Sequence, residues 1–198
     1  LIRKGSVFVA EHGLTPTGPL ADVSTGDSEF DRLTIALNDT LHMASLTCRR
    51  SQETPFATAA KKLFGTGLPA PSGLVEGKEF SLFWTGPDQW FVETGLDKYE
   101  DIAAILKATF ADTASITEQS GAWARFELNG SGALKLLERL CMVDIERMPT
   151  GTAVRTVMEH LGVFVICREA GSRYTILGAR SSAGSLRHAL VTATASAL

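Results

Sequence analysis

Phe80-Ser81-Leu82-Phe83-Trp84-Thr85-Gly86-Pro87-Asp88-Gln89-Trp90-Phe91-Val92-Glu93 holds two short apolar runs, Phe80 to Trp84 and Trp90 to Glu93. Between them lies Gly86-Pro87-Asp88, and proline and aspartate suit a tight connection between antiparallel strands. The stretch predicts a β-hairpin. A helix should follow, because Asp97 and Glu100 stand as an Asx-x-x-Glu start and Ile102, Ile105, Leu106, Thr109 and Phe110 recur at helical spacing.

Working outward, Leu41 to Cys48 reads as a strand closed by Arg49-Arg50. The next helix is expected to take Thr54 as N-cap and Pro55 as its first position, with an apolar stripe of Phe56, Ala59, Ala60, Leu63 and Phe64 and a stop at Gly65. Gly67 to Gly77 reads as a linker. Downstream, strands at Ala114 to Glu118 and Trp123 to Leu128 lead into a helix from Ser131 to Leu140, striped by Leu134, Leu136, Leu137, Leu140 and Cys141. A third round has strands near Val154 to Met158, Val163 to Arg168 and Arg173 to Leu177, then a helix opened by Ser181 or Ser182.

Three hairpin-then-helix units imply an α+β fold, an antiparallel sheet with helices on one face, because short turns join neighbouring strands and each helix covers an apolar face. Strand-helix-strand-strand-helix-strand grouping is compatible with ferredoxin-like halves. Residues 1–40 carry scattered Gly, Pro and carboxylates without a sustained period and are expected to form an extended or poorly ordered arm. Residues 41–198 then form a single domain, or two fused subdomains at about 41–112 and 113–198.

Of 19 basic and 22 acidic residues, 3 basic and 6 acidic fall in positions 1–40, leaving 16 of each. A balanced body argues against a nucleic-acid or anionic-membrane footprint. No stretch approaches the roughly 18 apolar residues of a membrane helix, and Leu1 to Val9 does not read as a leader, so a cytoplasmic location is expected. Cys48, Cys141 and Cys167 are far apart and without metal or disulfide spacing.

Gly65-Thr66-Gly67-Leu68-Pro69-Ala70 has the letters of a dinucleotide fingerprint but follows a helix, and Gly73 to Lys78 is one residue short of a phosphate loop. His12, His42, His160 and His188 occur singly, with no second histidine at metal-sharing distance on a helix. Ser181-Ser182 suits capping, and Asp22, Asp27, Glu29 and Asp31 suit a solvated acidic arm. Trp84, Trp90 and Trp123 lie on strands, where packing explains them. Asn129-Gly130-Ser131 has only the letters of a glycosylation site. The expectation is a folded chain with no catalytic, cofactor-binding or metal-binding residue of its own.

Trp84-Thr85-Gly86-Pro87-Asp88-Gln89-Trp90 resembles the W-x-G-P-D-E/Q-W run of the gamma subunits of heterotetrameric sarcosine oxidases. Pro19-Leu20-Ala21, Leu68-Pro69, Ile116 to Ser120, Asn129 to Ala133 with Leu136-Leu137, Cys141 and Asp144-Ile145, Arg155-Thr156 and Arg180-Ser181 continue the likeness in order. Ser131, Ser182 and Arg187 depart from it. The resemblance implies a non-catalytic assembly subunit of an enzyme that oxidises sarcosine or a related N-methyl amine. It implies alpha, beta and delta partners that carry FAD, FMN, NAD, tetrahydrofolate and zinc, with no cofactor in this chain. A wider similarity, through Gly130 to Asp144 and Gly162 to Leu177, points to the aminomethyltransferase-like folate-binding fold. Two alternatives remain open: a free-standing folate-binding or aminomethyl-transferring protein, and a binding module that associates with itself.

Overall fold

The computed structural model describes residues 17–20, 27–99 and 101–198. Expectations resting on His12, Asp22 and Glu100 lie outside them.

Eleven strands and four helices form among the described residues. One sheet contains β3 (Leu41–Cys48), β4 (Leu74–Glu76), β5 (Ser81–Gly86), β6 (Gln89–Gly95) and β7 (Ala114–Glu118), in the order β4-β5-β6-β3-β7. The other contains β1 (Ser28–Phe30), β2 (Leu33–Leu37), β8 (Trp123–Asn129), β9 (Thr152–Met158), β10 (Leu161–Glu169) and β11 (Arg173–Ala179), in the order β1-β2-β8-β11-β10-β9. All neighbouring strands are antiparallel. Helices α1 (Glu53–Phe64) and α2 (Ile102–Phe110) follow strands of the first sheet; α3 (Ala133–Leu140) and α4 (Ala183–Ala197) follow strands of the second.

Side-chain alternation explains the layering, since successive strand residues face opposite sides. On β8, Ala124, Phe126 and Leu128 join a core with Leu136, Leu137, Leu186 and Leu190 of α3 and α4. On β6, Val92 joins a core with Phe56, Ala60, Leu106 and Phe110 of α1 and α2. The opposite faces meet each other, where Met43, Phe83, Phe91, Phe164, Ile166 and Leu177 form a third cluster with Trp123 against it. The order is therefore helices, sheet, sheet, helices. Helices cover one face of each sheet, as the α+β reading requires, while the second face of each is covered by its twin.

Each half has ferredoxin-like topology. In the first, β3-α1-β5-β6-α2-β7 is laid out as β5-β6-β3-β7, with β4 added at the edge. In the second, β8-α3-β10-β11-α4 gives β10-β11-β8, and the fourth place is taken by β2 from before the first half. Over residues 28–37 that position replaces the expected arm. Ser28–Phe30 and Leu33–Leu37 are strands, and Leu20, Leu33 and Ile35 are core. The segment is too polar to make a core alone, yet it supplies alternate apolar residues to one that β8 leaves open. The suggested subdomain boundary near residue 113 also moves: β7 completes the first sheet, and β2 belongs with the second half.

Other expectations shift locally. The hairpin stands, with Pro87 and Asp88 as the two loop residues and Asp88 at φ 57°, the proline-then-positive-φ order of a type II turn. Strands Ala114–Glu118 and Trp123–Asn129 do not pair with each other, because β7 adds to β3 and β8 is central in the other sheet. There are two hairpin-centred halves, not three units. Gln52, not Thr54, is the N-cap of α1, and Pro55 is the third helical residue; Gly65 ends the helix in the left-handed region as expected. Asp101, not Asp97, caps α2 through a 2.8 Å bond from the Ala104 N–H. Asp97 lies in a turn closed by the Lys98 N–H on the Gly95 carbonyl at 3.0 Å. The 67–77 linker contains β4, which pairs Leu74 with Phe83. Ser131 precedes α3, and Ser182 stands at the start of α4 without a side-chain capping bond.

Candidate functional site between the two sheets

Beside its apolar cluster, the face-to-face layer holds a group of five linked polar side chains. Glu93 comes from β6; Arg125 and Glu127 from β8; Arg168 from β10; Thr175 from β11. Their hydrogen bonds close a ring. Arg125 donates one Nη to Glu93 and the other to Glu127 at 3.1 Å. Glu127 accepts the Thr175 hydroxyl at 2.7 Å, and that hydroxyl accepts Arg168 Nε at 3.2 Å. Arg168 returns to Glu93 at 2.9 Å and extends to Glu76 on β4 at 2.8 Å.

Burial makes the ring consequential. The Arg125, Arg168 and Glu93 side chains are 7%, 8% and 3% exposed. Desolvation pushes the Arg125 guanidinium down to about 10, against the attraction of Glu127, so it stays charged at neutral pH. Buried charges are tolerable only when paired and hydrogen-bonded. Here each carboxylate oxygen of Glu93 meets a guanidinium from the other sheet. The arrangement fixes how the halves sit on one another, and its acceptors are already engaged by its own donors.

A polar cleft of about 480 Å³ opens beside the ring, lined by Lys78, Asp97, Lys98 and Arg173 among others. A second, of about 260 Å³, lies beyond Arg125 between Trp123, His42 and Arg180. At its wall His42 Nδ1 is 3.3 Å from the Ser120 hydroxyl, but Ser120 also accepts the Met43 N–H at 2.9 Å. That serine ties the β7 to β8 connection onto β3. Among the described residues no carboxylate hydrogen-bonds the His42 ring, so the pair lacks the third member of a nucleophilic triad.

The remaining residues named from sequence are dispersed. His160 sits in the β9–β10 turn beside Glu159, both at positive φ, and His188 lies on α4. Trp90 donates to the Pro69 carbonyl at 2.9 Å and stacks obliquely on Phe56; Trp123 donates to Gln119 at 3.3 Å. Trp84 is half-buried on β5. Burial pushes the Cys141 and Cys167 thiols up, which keeps them neutral core residues. Gly130, at φ 129°, lets the chain pass the Arg32 carbonyl, where any Cβ would collide. Among the described residues no three His, Cys, Asp or Glu side chains gather to hold a metal, and no helix is long and apolar enough to cross a membrane.

Sequence reading missed Glu93, Arg125 and Arg168. The available signal was a charge inside an alternating apolar strand, such as Arg125 between Ala124 and Phe126. Such a charge must face solvent or a partner, and the sequence does not say which.

The fold has relatives. A heterotetrameric sarcosine oxidase from Corynebacterium sp. U-96, solved with pyrrole 2-carboxylate, contains a chain that superposes with TM-score 0.78 at 17% identity, covering 91% of this chain and 95% of that one. The glycine cleavage system aminomethyltransferase T from Bartonella henselae gives TM-score 0.59 at 11% identity, covering 89% of this chain and 57% of that one. At these identities the likeness concerns the fold. No curated protein sequence matches. The sequence itself matches the family described as "Sarcosine oxidase, gamma subunit family" over residues 49–196, three quarters of its length, and the chain belongs to that family.

Proposed function

We propose that this chain is a structural subunit of a heterotetrameric sarcosine oxidase, without a catalytic centre of its own. Sarcosine or a related N-methyl amine is oxidised on partner subunits, and those alpha, beta and delta chains carry the flavins, NAD, tetrahydrofolate and zinc. The assembly works in the cytoplasm. The observation that carries the reading is the closed ring of Glu93, Arg125, Glu127, Thr175 and Arg168. The most buried charged groups are spent on joining the two sheets, as in a scaffold.

Two measurements test it together. Co-expression of the partners without this chain should yield less soluble complex, because a component that binds only the native assembly stabilises it by mass action. In complexes assembled with Arg180→Ala, Trp84→Phe or His160→Ala, the amine-to-flavin electron-transfer rate followed by stopped flow should stay within a few-fold. A fall of about 10³-fold, roughly 4 kcal/mol of transition-state stabilisation, would show that this chain supplies catalytic groups.

A further inference from the structure

β9 is the outer strand of the six-stranded sheet, and its far edge is only partly used. Gly151, at φ 79°, and Thr152 both oppose Cys167, a glycine bulge in which the Gly151 N–H reaches the Cys167 carbonyl at 2.9 Å. Beyond the bulge the register with β10 runs unbroken from Thr152↔Cys167 to Leu161↔Met158. The Ala153 N–H points away from β10, because it donates to the Ser72 carbonyl at 2.8 Å. By the two-residue period of a strand, the N–H and C=O groups of Arg155 and Val157 point outward too.

Those groups have no backbone partner among the described residues. Ser72–Leu74 runs antiparallel along the edge only as far as Ala153, with Gly73 bridging Thr152, and the chain then departs at Pro71. The edge therefore already accepts one short strand, and among the described residues the lane beyond it is open. Its occupants would meet Val157, 58% exposed, and the exposed Arg155, whose guanidinium carbon lies 5.8 Å from the Phe164 ring centroid. No carboxylate pairs with Arg155 among the described residues. Long edges of this kind are normally blunted by proline, by a bulge or by being covered. The other edge of the sheet, β1, has three residues with Glu29 at its centre.

We propose that the open half of the β9 edge, at Arg155 and Val157, receives an extended strand from another subunit of the assembly. The added strand continues the lane of Ser72–Leu74, takes up the outward N–H and C=O groups, places a carboxylate against Arg155 and an apolar side chain against Val157. Main-chain bonds give such strand addition its affinity, and alternate side chains give it specificity. The inference rests on the reading of the chain as a subunit.

Val157→Pro provides the test, because it removes an N–H that has no backbone partner among the described residues, and proline is tolerated at edge positions whose N–H points away from the sheet. The isolated variant should keep its circular-dichroism spectrum, while its affinity for co-expressed alpha, beta and delta subunits should fall at least about tenfold. As a second measurement on the unmodified protein, amide exchange at Arg155 and Val157 should slow at least about tenfold on assembly. Normal assembly of Val157→Pro, with no added protection in the wild type, would overturn the edge proposal and leave the subunit reading standing. A wild-type chain that joins none of those subunits overturns both. A homodimer that Val157→Pro dissolves would make the occupant a second copy and overturn the proposal as stated.

Discussion

Glu93 holds two guanidinium groups from the opposite sheet, and Glu76 holds one from a half-exposed position, so the two carboxylates should respond differently to neutralisation. Glu93→Gln strips the shared counter-charge from Arg125 and Arg168 where water cannot replace it, and should cost about 3 kcal/mol. Glu76→Gln, at 48% exposure, should cost under about 1 kcal/mol because solvent screens the pair. Urea denaturation of both variants checks the ratio, and equal losses would mean that the ring is no weld. The residues themselves were visible in the sequence as charges inside apolar strands. Their partners were not, since Glu93 is 32 positions from Arg125 and 75 from Arg168, and no local pattern encodes so distant a pairing.

At the scale of elements, what local chemistry determines was legible and what depends on a distant surface was not. Leu41–Cys48 and the Pro87-Asp88 hairpin follow from alternation and turn residues alone, and both form as expected. β2 alternates Leu33, Ile35 and Leu37 with Thr34 and Ala36 over only five residues, and β4 has three; that they pair with β8 and β5 depends on ladders no local pattern encodes. The start of α2 shows competition between two aspartates four residues apart. Asp97 has the glutamate that suits a capping box, but the turn at Gly95–Lys98 takes it, and Asp101 stands one residue before the apolar run. Asp101→Ala should therefore cost about 1 kcal/mol, lowering Tm by roughly 2–4 °C in a chain of this size. Thermal unfolding checks it, and an unchanged Tm would show that the Ala104 N–H finds water at no loss.

At the scale of the whole molecule, the two ferredoxin-like halves are connected alike except in the origin of their fourth strand. β2 occupies in the second half the place that β7 occupies in the first, although it lies before both halves in sequence. If packing and not connectivity specifies the fold, the link between β2 and β3 is dispensable. That link is Asn38-Asp39-Thr40, of which Asp39 and Thr40 are exposed, and it is held locally by the Thr40 N–H on Asn38 Oδ1 at 3.0 Å. A circular permutant opened between Asp39 and Thr40, with Leu198 joined to Leu1 by a flexible glycine-serine linker, would bring β2 after α4 and make two consecutive units of like topology. Each doubling of such a linker costs only about 0.6 kcal/mol, while the apolar burial of Leu33 and Ile35 against β8 and the ring between the sheets are retained. The permutant should show the parent's circular-dichroism spectrum and a single cooperative unfolding transition, with Tm lower by no more than about 5 °C. Two separate transitions would mean that the β2 to β3 link, and not the Glu93 ring, couples the halves; failure to fold would mean that β2 must be delivered before β8 is made.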